Sequence, residues 1–292
     1  MMSGELIPEK ALPTEMLVAA TMRELKDKET IFAGIGIPLI AALAAKLAHA
    51  PRLTIIVEGG AIDPQPRRLM MGVADDSCLE RVVSADSMIR VFSDQQSRLI
   101  DVGVISGAQV DKYGNVNSTV IGDYKKPEVR LTGSGGACDI ACSAQRLLIM
   151  MRQEKRRFPE KVDFITSPGF IDGPGAREKL KLRGKGPAAV ITTMGIFRFD
   201  EKTKEMYLDS IHPGITVDMV KQNVGWNLKV ADELKTTPWP TVDELRIMRA
   251  LDPLGFFLQL KIGLLDFDTY IAYLDKCYDT FNKYYCERGI IP

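Results

Sequence analysis

The sequence predicts an α/β fold in which an open, mainly parallel sheet is flanked by helices. Two observations lead to this prediction. Apolar runs of strand length alternate with helical stretches up to Thr193, and an early strand–loop–helix–strand unit is punctuated by glycines. Such alternation is typical of a parallel sheet with helices on both faces. A chain of 292 residues can also bury a sizeable core without disulfides.

The first elements follow from a change in hydrophobic period. The pattern predicts, in order, a helix at 14–28, a strand at Thr30–Ala33, a helix at Leu39–Ala48 and a strand at Leu53–Val57. Thr14 is expected to cap the first helix, and Pro38 suits the first turn of the second.

The alternation continues in the middle of the chain. Further strands are predicted at Val102–Ile105, Leu147–Met151, Val162–Thr166 and Ala188–Thr193. Two short strands at 196–199 and 205–208 surround a five-residue polar loop, which predicts a hairpin at a sheet edge. Pro238 and Pro240 mark a linker before a helix from about Val242 to Ala250.

A terminal helix is predicted from aromatic and leucine side chains at spacings of three and four. The apolar stripe consists of Phe267, Tyr270, Leu274, Tyr278, Phe281 and Tyr285. We expect it to pack on its own domain or on a partner. The chain is therefore divided into one domain at residues 1–253 and a C-terminal helical extension at residues 254–292.

Charge and composition exclude several classes of protein. The 38 Lys and Arg balance the 38 Asp and Glu, so no net field gathers nucleic acid or anionic lipid. No run approaches the roughly 20 apolar residues that span a bilayer. The N-terminus, with Glu5 and Glu9, lacks signal-peptide features, which predicts a cytoplasmic protein.

The five cysteines lack the spacing of a zinc site or a disulfide framework, and we expect buried or incidental thiols.

The usual catalytic motifs are missing from the sequence. Gly34-Ile35-Gly36 invites a dinucleotide interpretation, but the third glycine would fall at Leu39, so a structural turn or a phosphate contact both stay open. His49 and His212 are the two histidines, and neither lies in a catalytic pattern. The chemistry is therefore expected to use a nucleophile that is already ionised at neutral pH.

Glu58 meets that requirement. A glutamate is anionic at neutral pH without a partner base, and carboxylates serve as covalent nucleophiles. Glu58 follows an apolar strand at the end where open α/β sheets bind ligands, and two glycines beside it remove side-chain bulk. From position alone, an ordinary surface-loop glutamate is the more common case.

Two further segments are unusual. Thr132–Ala137 is rich in glycine and runs into a helix, so its backbone N–H groups could bind a phosphate or an oxyanion, or form a plain turn. Residues 107–119 carry many amides and hydroxyls, which predicts either a polar side of the site or a stack of satisfied turns.

Six sequence blocks occur together in a characteristic order: Val57-Glu58-Gly59-Gly60, then Gly107-Ala108-Gln109-Val110-Asp111 with Tyr113-Gly114-Asn115-Val116-Asn117-Ser118-Thr119, then Ile121-Gly122-Asp123-Tyr124, then Gly133-Ser134-Gly135-Gly136-Ala137, then Glu154-Lys155-Arg156-Arg157-Phe158, then Thr166-Ser167-Pro168-Gly169-Phe170-Ile171-Asp172-Gly173-Pro174-Gly175. In this combination they resemble the beta subunit of glutaconate CoA-transferase. The resemblance extends from about Ile31 to Asp252.

The resemblance implies a class I CoA-transferase fold for residues 1–253. It also implies an obligate partner, the CoA-transferase alpha subunit, in a hetero-oligomer that is α2β2 or larger, with the active site near their interface. Coenzyme A is then a substrate, with no permanently bound cofactor and no metal. The second substrate is a small carboxylic acid, with dicarboxylic acids as candidates. No nucleic acid or membrane partner is implied.

The resemblance also assigns roles to residues. Glu58 matches the catalytic glutamate that attacks an acyl-CoA thioester and then carries CoA as a glutamyl thioester. Gly135 and Gly136 match the loop whose N–H groups stabilise the oxyanion. The candidate contacts to substrate and CoA are Gly34, Gly36, Gly59, Gly60, Gln109, Asn115, Asn117, Ser134 and Ala137.

The chain departs from the family pattern near the predicted nucleophile. Gly59 stands where the family has Ser, and Asp63-Pro64-Gln65-Pro66 also differs, so the acid need not be glutaconate. The alternatives are an acyl-CoA hydrolase or decarboxylase of the same fold, or a non-catalytic scaffold subunit. In such hydrolases and decarboxylases the glutamate is replaced, so Glu58 favours transfer.

Overall fold

The computed structural model describes residues 6–259 and 266–287. Its strands are β1 Thr30–Ala33, β2 Thr54–Ile56, β3 Ala61–Ile62, β4 Ser84–Ala85, β5 Val102–Ile105, β6 Gln109–Val110, β7 Val116–Asn117, β8 Val120–Gly122, β9 Pro127–Arg130, β10 Arg146–Met151, β11 Pro187–Thr192, β12 Gly195–Phe199, β13 Met206–Ile211 and β14 Lys229–Thr236. Its α-helices are α1 Pro13–Met22, α2 Ile37–Ala48, α3 Met88–Gln96, α4 Ala137–Ser143, α5 Ala176–Lys179, α6 Val217–Gln222, α7 Val242–Leu251 and α8 Phe267–Glu287.

Ten strands form one large sheet in the order β14-β13-β12-β11-β10-β5-β1-β2-β3-β4. The five central strands, from β11 to β2, pair in parallel. Phe32 of β1 pairs with Ile56 of β2 on one side and with Gly103 of β5 on the other. The carboxyl ends of β1, β2 and β5 therefore meet at one edge, where open sheets bind ligands.

The core lies on both faces of this sheet, as the sequence predicts. Along β10, Leu148 and Met150 pack in a cluster with α1, α2 and α7. The alternate residues Leu147, Ile149 and Met151 pack in a second cluster with α3 and α4. Because successive side chains of a strand point to opposite faces, an apolar strand such as this one needs helices on each side.

Helix α1 differs from its prediction at both ends. The predicted cap, Thr14, lies inside the helix, and its hydroxyl donates to the carbonyl oxygen of Leu258. Leu12 is the N-cap residue, and its N–H donates to the Glu15 carboxylate at 2.8 Å. The helix ends at Met22 rather than at residue 28.

Two strand predictions are wrong in detail. Residues 162–166 form no strand, and only Ser167 makes an isolated bridge, to Val116. The Asp163 carboxylate accepts from Gln109 and from the N–H of Gly122, so this segment bonds through side chains to neighbouring loops.

The β12–β13 hairpin forms, but it does not lie at the sheet edge, because β14 pairs with β13 and occupies that edge. β14 is largely polar and half exposed, so its sequence lacks the apolar run that predicts a buried strand.

The terminal helix α8 packs on the body of the chain. Its buried face is centred on Tyr273, Cys277 and Tyr284, next to the predicted stripe, whereas Phe267 is 75% exposed. Tyr270 and Leu274 flank that face as predicted. The side chains of Phe281 and Tyr285, and the residue Glu5, lie outside the described part of the chain. The boundary between residues 253 and 254 stays a prediction.

None of the helices in the described ranges is long and apolar enough to cross a membrane. The cytoplasmic location stays a prediction of the sequence.

Candidate active site

A cavity of about 350 Å³ opens at the carboxyl ends of β1, β2 and β5. It is lined by Phe32, Ala33, Gly34, Ile35, Glu58, Val73, Ile105, Ser106, Ser118, Thr132, Gly133, Ser134, Gly135, Gly136, Ala137 and Ile140. Glu58 carries the one ionisable side chain in this set. The strand ends and the glycine-rich segment thus meet around a single carboxylate.

Glu58 lies two residues beyond β2 and is half-buried. Within the described ranges its carboxylate accepts no hydrogen bond and forms no ion pair. A β-carbon placed on Gly136 would lie 3.4 Å from Cδ of Glu58, and one on Gly135 would lie 3.9 Å from each carboxylate oxygen. The carboxylate is therefore in van der Waals range of the glycine loop and has oxygen lone pairs available for a reactant.

The glycine loop has the backbone form of an anion-binding nest. Gly135 has a left-handed φ of +47°, and Gly136, the N-cap of α4, has φ −78° and ψ −4°. The side chain of Ser134 accepts from the N–H of Cys138 at 3.1 Å. Among the described residues, no acceptor bonds the N–H groups of Gly135 and Gly136. Consecutive free N–H groups in such a turn can bind an anion or an oxyanion.

Gly59 and Gly60 are required by close backbone packing. A β-carbon on Gly59 would lie 2.2 Å from the carbonyl oxygen of Val73. One on Gly60 would lie 1.9 Å from the carbonyl oxygen of Asp86, and Gly60 also has a φ of +106°. These two glycines let the β3–β4 region approach the segment that carries Glu58, and neither of them lines the cavity.

The two glycines of the turn Gly34-Ile35-Gly36 lie in different places: the first faces the cavity and the second packs against an aromatic ring. Gly34 lines the cavity, and its N–H donates to the carbonyl oxygen of Val104 at 3.2 Å. Gly36 begins α2 with a φ of +93°, and a β-carbon there would lie 3.3 Å from the ring of Phe257. Only the first glycine is therefore placed to contact a ligand beside Glu58.

The predicted amide residues do not line the cavity; each is buried and bonded within the chain. Asn117 donates to Gln109 at 2.7 Å, and Gln109 donates to Asp163 at 3.0 Å. Asn115 donates to Asp111 at 3.0 Å, and burial raises the pKa of that carboxyl. Residues 107–119 therefore fit both interpretations: their amide side chains form a stack of satisfied turns, and Ser118 at the end of the segment lines the cavity.

This network nonetheless borders the site. Asn117 accepts from the N–H groups of Thr119 and Val120, which fixes the turn that carries Ser118. The Ser118 hydroxyl donates to the carbonyl oxygen of Gly133 at 2.8 Å, and the Gly133 N–H donates back to the Ser118 carbonyl oxygen at 2.8 Å. The amide cluster thus supports the start of the glycine loop.

Several lining residues were missed in the sequence. Ser106 directly follows β5, so a polar residue at a strand end was an available signal. Val73 comes from a loop with no motif. Phe92 of α3 does not line the cavity, but its ring packs against the glycine loop: a β-carbon on Gly136 would lie 2.5 Å from it. Neither contact has a local signature, because both depend on elements that are distant in the chain.

The remaining candidates for chemistry lie elsewhere. His49 contacts the carbonyl oxygen of Leu25 at 3.0 Å, and His212 contacts that of Thr192 at 2.9 Å. Burial lowers the pKa of His212. Cys78 and Cys277 are buried, as predicted for incidental thiols. Cys138 is half-buried, and a hydrogen bond with Cys142 lowers its pKa to about 7.

Comparison with known proteins identifies the family. The family model described as "Coenzyme A transferase" matches residues 14–223, which is more than half of the chain. The chain belongs to the coenzyme A transferase family. This confirms the family resemblance found in the sequence.

Two curated relatives of this CoA-transferase are single subunits of named enzymes. The chain is 42% identical over 241 residues to the B subunit of 3-oxoadipate CoA-transferase from Pseudomonas knackmussii, covering 82% of this chain and 92% of that protein. It is also 42% identical over 255 residues to the B subunit of glutaconate CoA-transferase from Acidaminococcus fermentans, covering 84% of this chain and 94% of that protein.

The crystal structure of glutaconate coenzyme A-transferase from Acidaminococcus fermentans has the same fold. Its TM-score is 0.80 at 38% sequence identity, covering 86% of this chain and 98% of that chain. The protein is thus the beta-type chain of a CoA-transferase, and the naming of its relatives implies a second, different chain as partner in a hetero-oligomer.

Proposed function

We propose that this CoA-transferase chain supplies the nucleophile, and that Glu58 carries coenzyme A as a glutamyl thioester during transfer. The observation that supports the proposal most strongly is the placement of Glu58. Its carboxylate lies in one cavity with the unbonded N–H groups of Gly135 and Gly136. A nucleophile next to oxyanion donors is the arrangement that acyl transfer requires.

The first half-reaction begins when a Glu58 oxygen attacks the thioester carbonyl of acyl-CoA. The tetrahedral intermediate collapses with cleavage of the C–S bond, which gives a mixed anhydride and CoA thiolate. The thiolate then attacks the glutamyl carbonyl and expels the donor acid as its carboxylate. Glu58 is left as the CoA thioester, and no water or redox step enters the balance.

The second half-reaction runs these steps in reverse order with a new acid. Its carboxylate attacks the glutamyl thioester and releases CoA thiolate, which then attacks the acyl carbonyl of the new anhydride. The products are the new acyl-CoA and the regenerated Glu58 carboxylate. Each tetrahedral intermediate develops an oxyanion for which the N–H groups of Gly135 and Gly136 are the donors. Losing one such donor typically lowers the rate about 10² to 10³-fold.

The other predicted contacts divide into two groups. Gly34, Ser134 and Ala137 line the cavity and are proposed to contact the acyl or pantetheine part of the substrate. Gly36, Gly59, Gly60, Gln109, Asn115 and Asn117 do not line it, and for these we propose a positioning role.

We propose a dicarboxylic acid as the second substrate. The two relatives compared above carry the name of such an acid, 3-oxoadipate or glutaconate. The lining residues of the cavity include no Lys, Arg or His within the part of the chain described. The distal carboxylate of the acid would then bind to groups of the partner alpha chain. In line with the family resemblance, we propose a hetero-oligomer with two or more copies of each chain.

The test is to incubate the complex of both chains with acyl-CoA and then to add borohydride or hydroxylamine. Borohydride reduces an enzyme thioester, and hydroxylamine converts it into a hydroxamate. Peptide mass analysis should find either modification at Glu58. An active enzyme without a Glu58 adduct would contradict the covalent route and would favour the hydrolase or decarboxylase alternative. The same incubation without acyl-CoA is the control.

A further inference from the structure

The loop between β3 and β4 borders the nucleophile. Val73 of this loop lines the cavity together with Glu58. Its carbonyl oxygen occupies the space next to Gly59, where a β-carbon would lie only 2.2 Å away. The loop therefore forms part of the cavity wall and packs against the backbone that directly follows Glu58.

Asp75 closes the turn that carries Val73. Its carboxylate forms a bidentate ion pair with Arg68, in which the two terminal guanidinium nitrogens donate to the two carboxylate oxygens at 2.8 and 2.6 Å. The same carboxylate accepts from the N–H groups of Met71 and Ser77, each at 3.0 Å. Since both side chains of the ion pair are about nine-tenths buried, these charge-assisted hydrogen bonds stabilise the turn.

Helix α8 covers the outer side of this loop. The Tyr278 hydroxyl donates to the Glu80 carboxylate at 3.4 Å, and the Arg67 guanidinium lies 5.1 Å above the Tyr278 ring. Arg67 also donates its backbone N–H to Glu80 at 2.7 Å. Tyr278 therefore contacts both ends of the β3–β4 loop, at Arg67 and at Glu80.

A buried aromatic contact anchors the helix in this position. Tyr273 is fully buried, and its ring centre lies 4.6 Å from that of Phe256. Met71 of the loop packs against the same cluster. The residue after Phe256, Phe257, contacts Gly36 at the start of α2. The C-terminal segment therefore touches the β3–β4 loop, whose Val73 lines the cavity, and Gly36, which follows the lining residues Gly34 and Ile35.

We propose that α8 is a positioning element of the transferase site, which keeps the β3–β4 loop closed over Glu58. The inference rests on the proposed function and adds to it. The helix lies outside the range matched by the family model, which ends at residue 223. Closing the loop excludes water from the glutamyl thioester, which would otherwise hydrolyse to the Glu58 carboxylate and free CoA. Tyr278 and Tyr273 are positioning residues, since neither lines the cavity.

The test compares Tyr278→Ala with Lys276→Ala, both in the full chain assembled with its partner. Lys276 is exposed on the same helix and serves as the matched control. We expect Tyr278→Ala to raise the ratio of CoA-thioester hydrolysis to transfer about tenfold and to raise the KM of the acceptor acid. The rate at which acyl-CoA labels Glu58 should stay within about twofold. Lys276→Ala should match the wild type in all three measurements.

Hydrogen exchange provides a readout that does not depend on catalysis. Amides of residues 70–78 should exchange faster in Tyr278→Ala than in Lys276→Ala, with no change in β5 or β10. An unchanged hydrolysis ratio, or exchange that rises equally throughout the chain, would overturn the proposal. Absence of a Glu58 adduct in the wild type would instead refute the proposed covalent route, so the two failures are distinguishable.

Discussion

A β-carbon on Gly136 would lie 3.4 Å from the carboxyl carbon of Glu58. Glu58 follows β2 and Gly136 begins α4, and the parallel pairing of β1 with β2 and β5 brings the strand ends to one edge. The missing side chain lets both the Glu58 carboxyl group and the Phe92 ring approach the Gly136 backbone closely. This relationship underlies the first two predictions.

Glu58→Gln should remove acyl exchange almost completely. The amide has the same shape but carries no anionic oxygen, so no anhydride or thioester can form. We expect kcat to fall by about 10⁴-fold or more, with the fold and the assembly with the partner intact. Glu178→Gln changes an exposed glutamate and is the control. Exchange within about tenfold of wild type would contradict the nucleophile assignment.

Gly136→Ala should slow transfer for two separable reasons. The new methyl group would meet the Phe92 ring at 2.5 Å as well as the Glu58 carboxyl carbon. We expect kcat to fall about 10²-fold and thermal stability to drop. Adding Phe92→Leu should recover stability by relieving the ring contact, while the rate stays low. Recovery of both in the double variant would mean that Gly136 is needed only for packing.

Asn117→Ala and Asn115→Ala should separate support of the site from support of the fold. Both side chains are buried and make several hydrogen bonds. Each replacement should lower the free energy of unfolding by about 2 kcal/mol. Only Asn117→Ala should also lower kcat, by about tenfold, because Asn117 fixes the turn before Ser118. Denaturant unfolding and steady-state rates measure the two effects, and equal losses of kcat would contradict the distinction.

Cys138 should be alkylated ahead of the buried thiols. A hydrogen bond with Cys142 lowers its pKa to about 7, whereas burial raises the pKa of Cys277 to about 12. The thiolate is the reactive form, so the iodoacetamide rate at Cys138 should rise through about pH 7 and level off above it. Cys142→Ala should move this rise to higher pH. Peptide mapping after timed labelling measures the rates, and an unchanged profile would argue against the thiol pair.

Asp75 should make stability depend on pH in the acid range. Burial alone would raise its pKa, but hydrogen bonds from Arg68 and from backbone N–H groups hold the pKa well below the usual range. The ionised form is therefore favoured by folding, so this contribution is present above about pH 4 and is lost as pH falls further.

Asp75→Asn tests that sign. The variant should be about 3 kcal/mol less stable at neutral pH, because Arg68 is left buried without its partner. Between about pH 5 and pH 2 it should lose less stability than the wild type does. Urea unfolding at several pH values measures both effects, and parallel loss in the two proteins would contradict the assignment.

Local features of the sequence were sufficient for much of this protein. The strands β1 and β5 were predicted with the bounds that the structure has. Short apolar runs between turn residues are typical of buried strands in a large α/β chain. The family resemblance pointed to Glu58 and the glycine loop as one site. A resemblance in these blocks is informative because the residues of a site are constrained in type even when they are far apart in the chain.

The sequence could not separate residues that line the cavity from residues that support it. Asn115 and Asn117 look like site residues because buried amides and ligand-binding amides have the same composition. The edge strand β14 was missed because half-exposed strands carry few apolar residues.

By itself, the sequence determined the α/β class, the family and the candidate nucleophile, because periodicity and motif residues are local properties of the chain. Only the tertiary structure decided that Val73, Ser106 and Phe92 border the glutamate and its glycine loop and that α8 covers the β3–β4 loop. Those contacts join segments that are distant in sequence, and their geometry is set by how the sheet, the helices and the loops pack together.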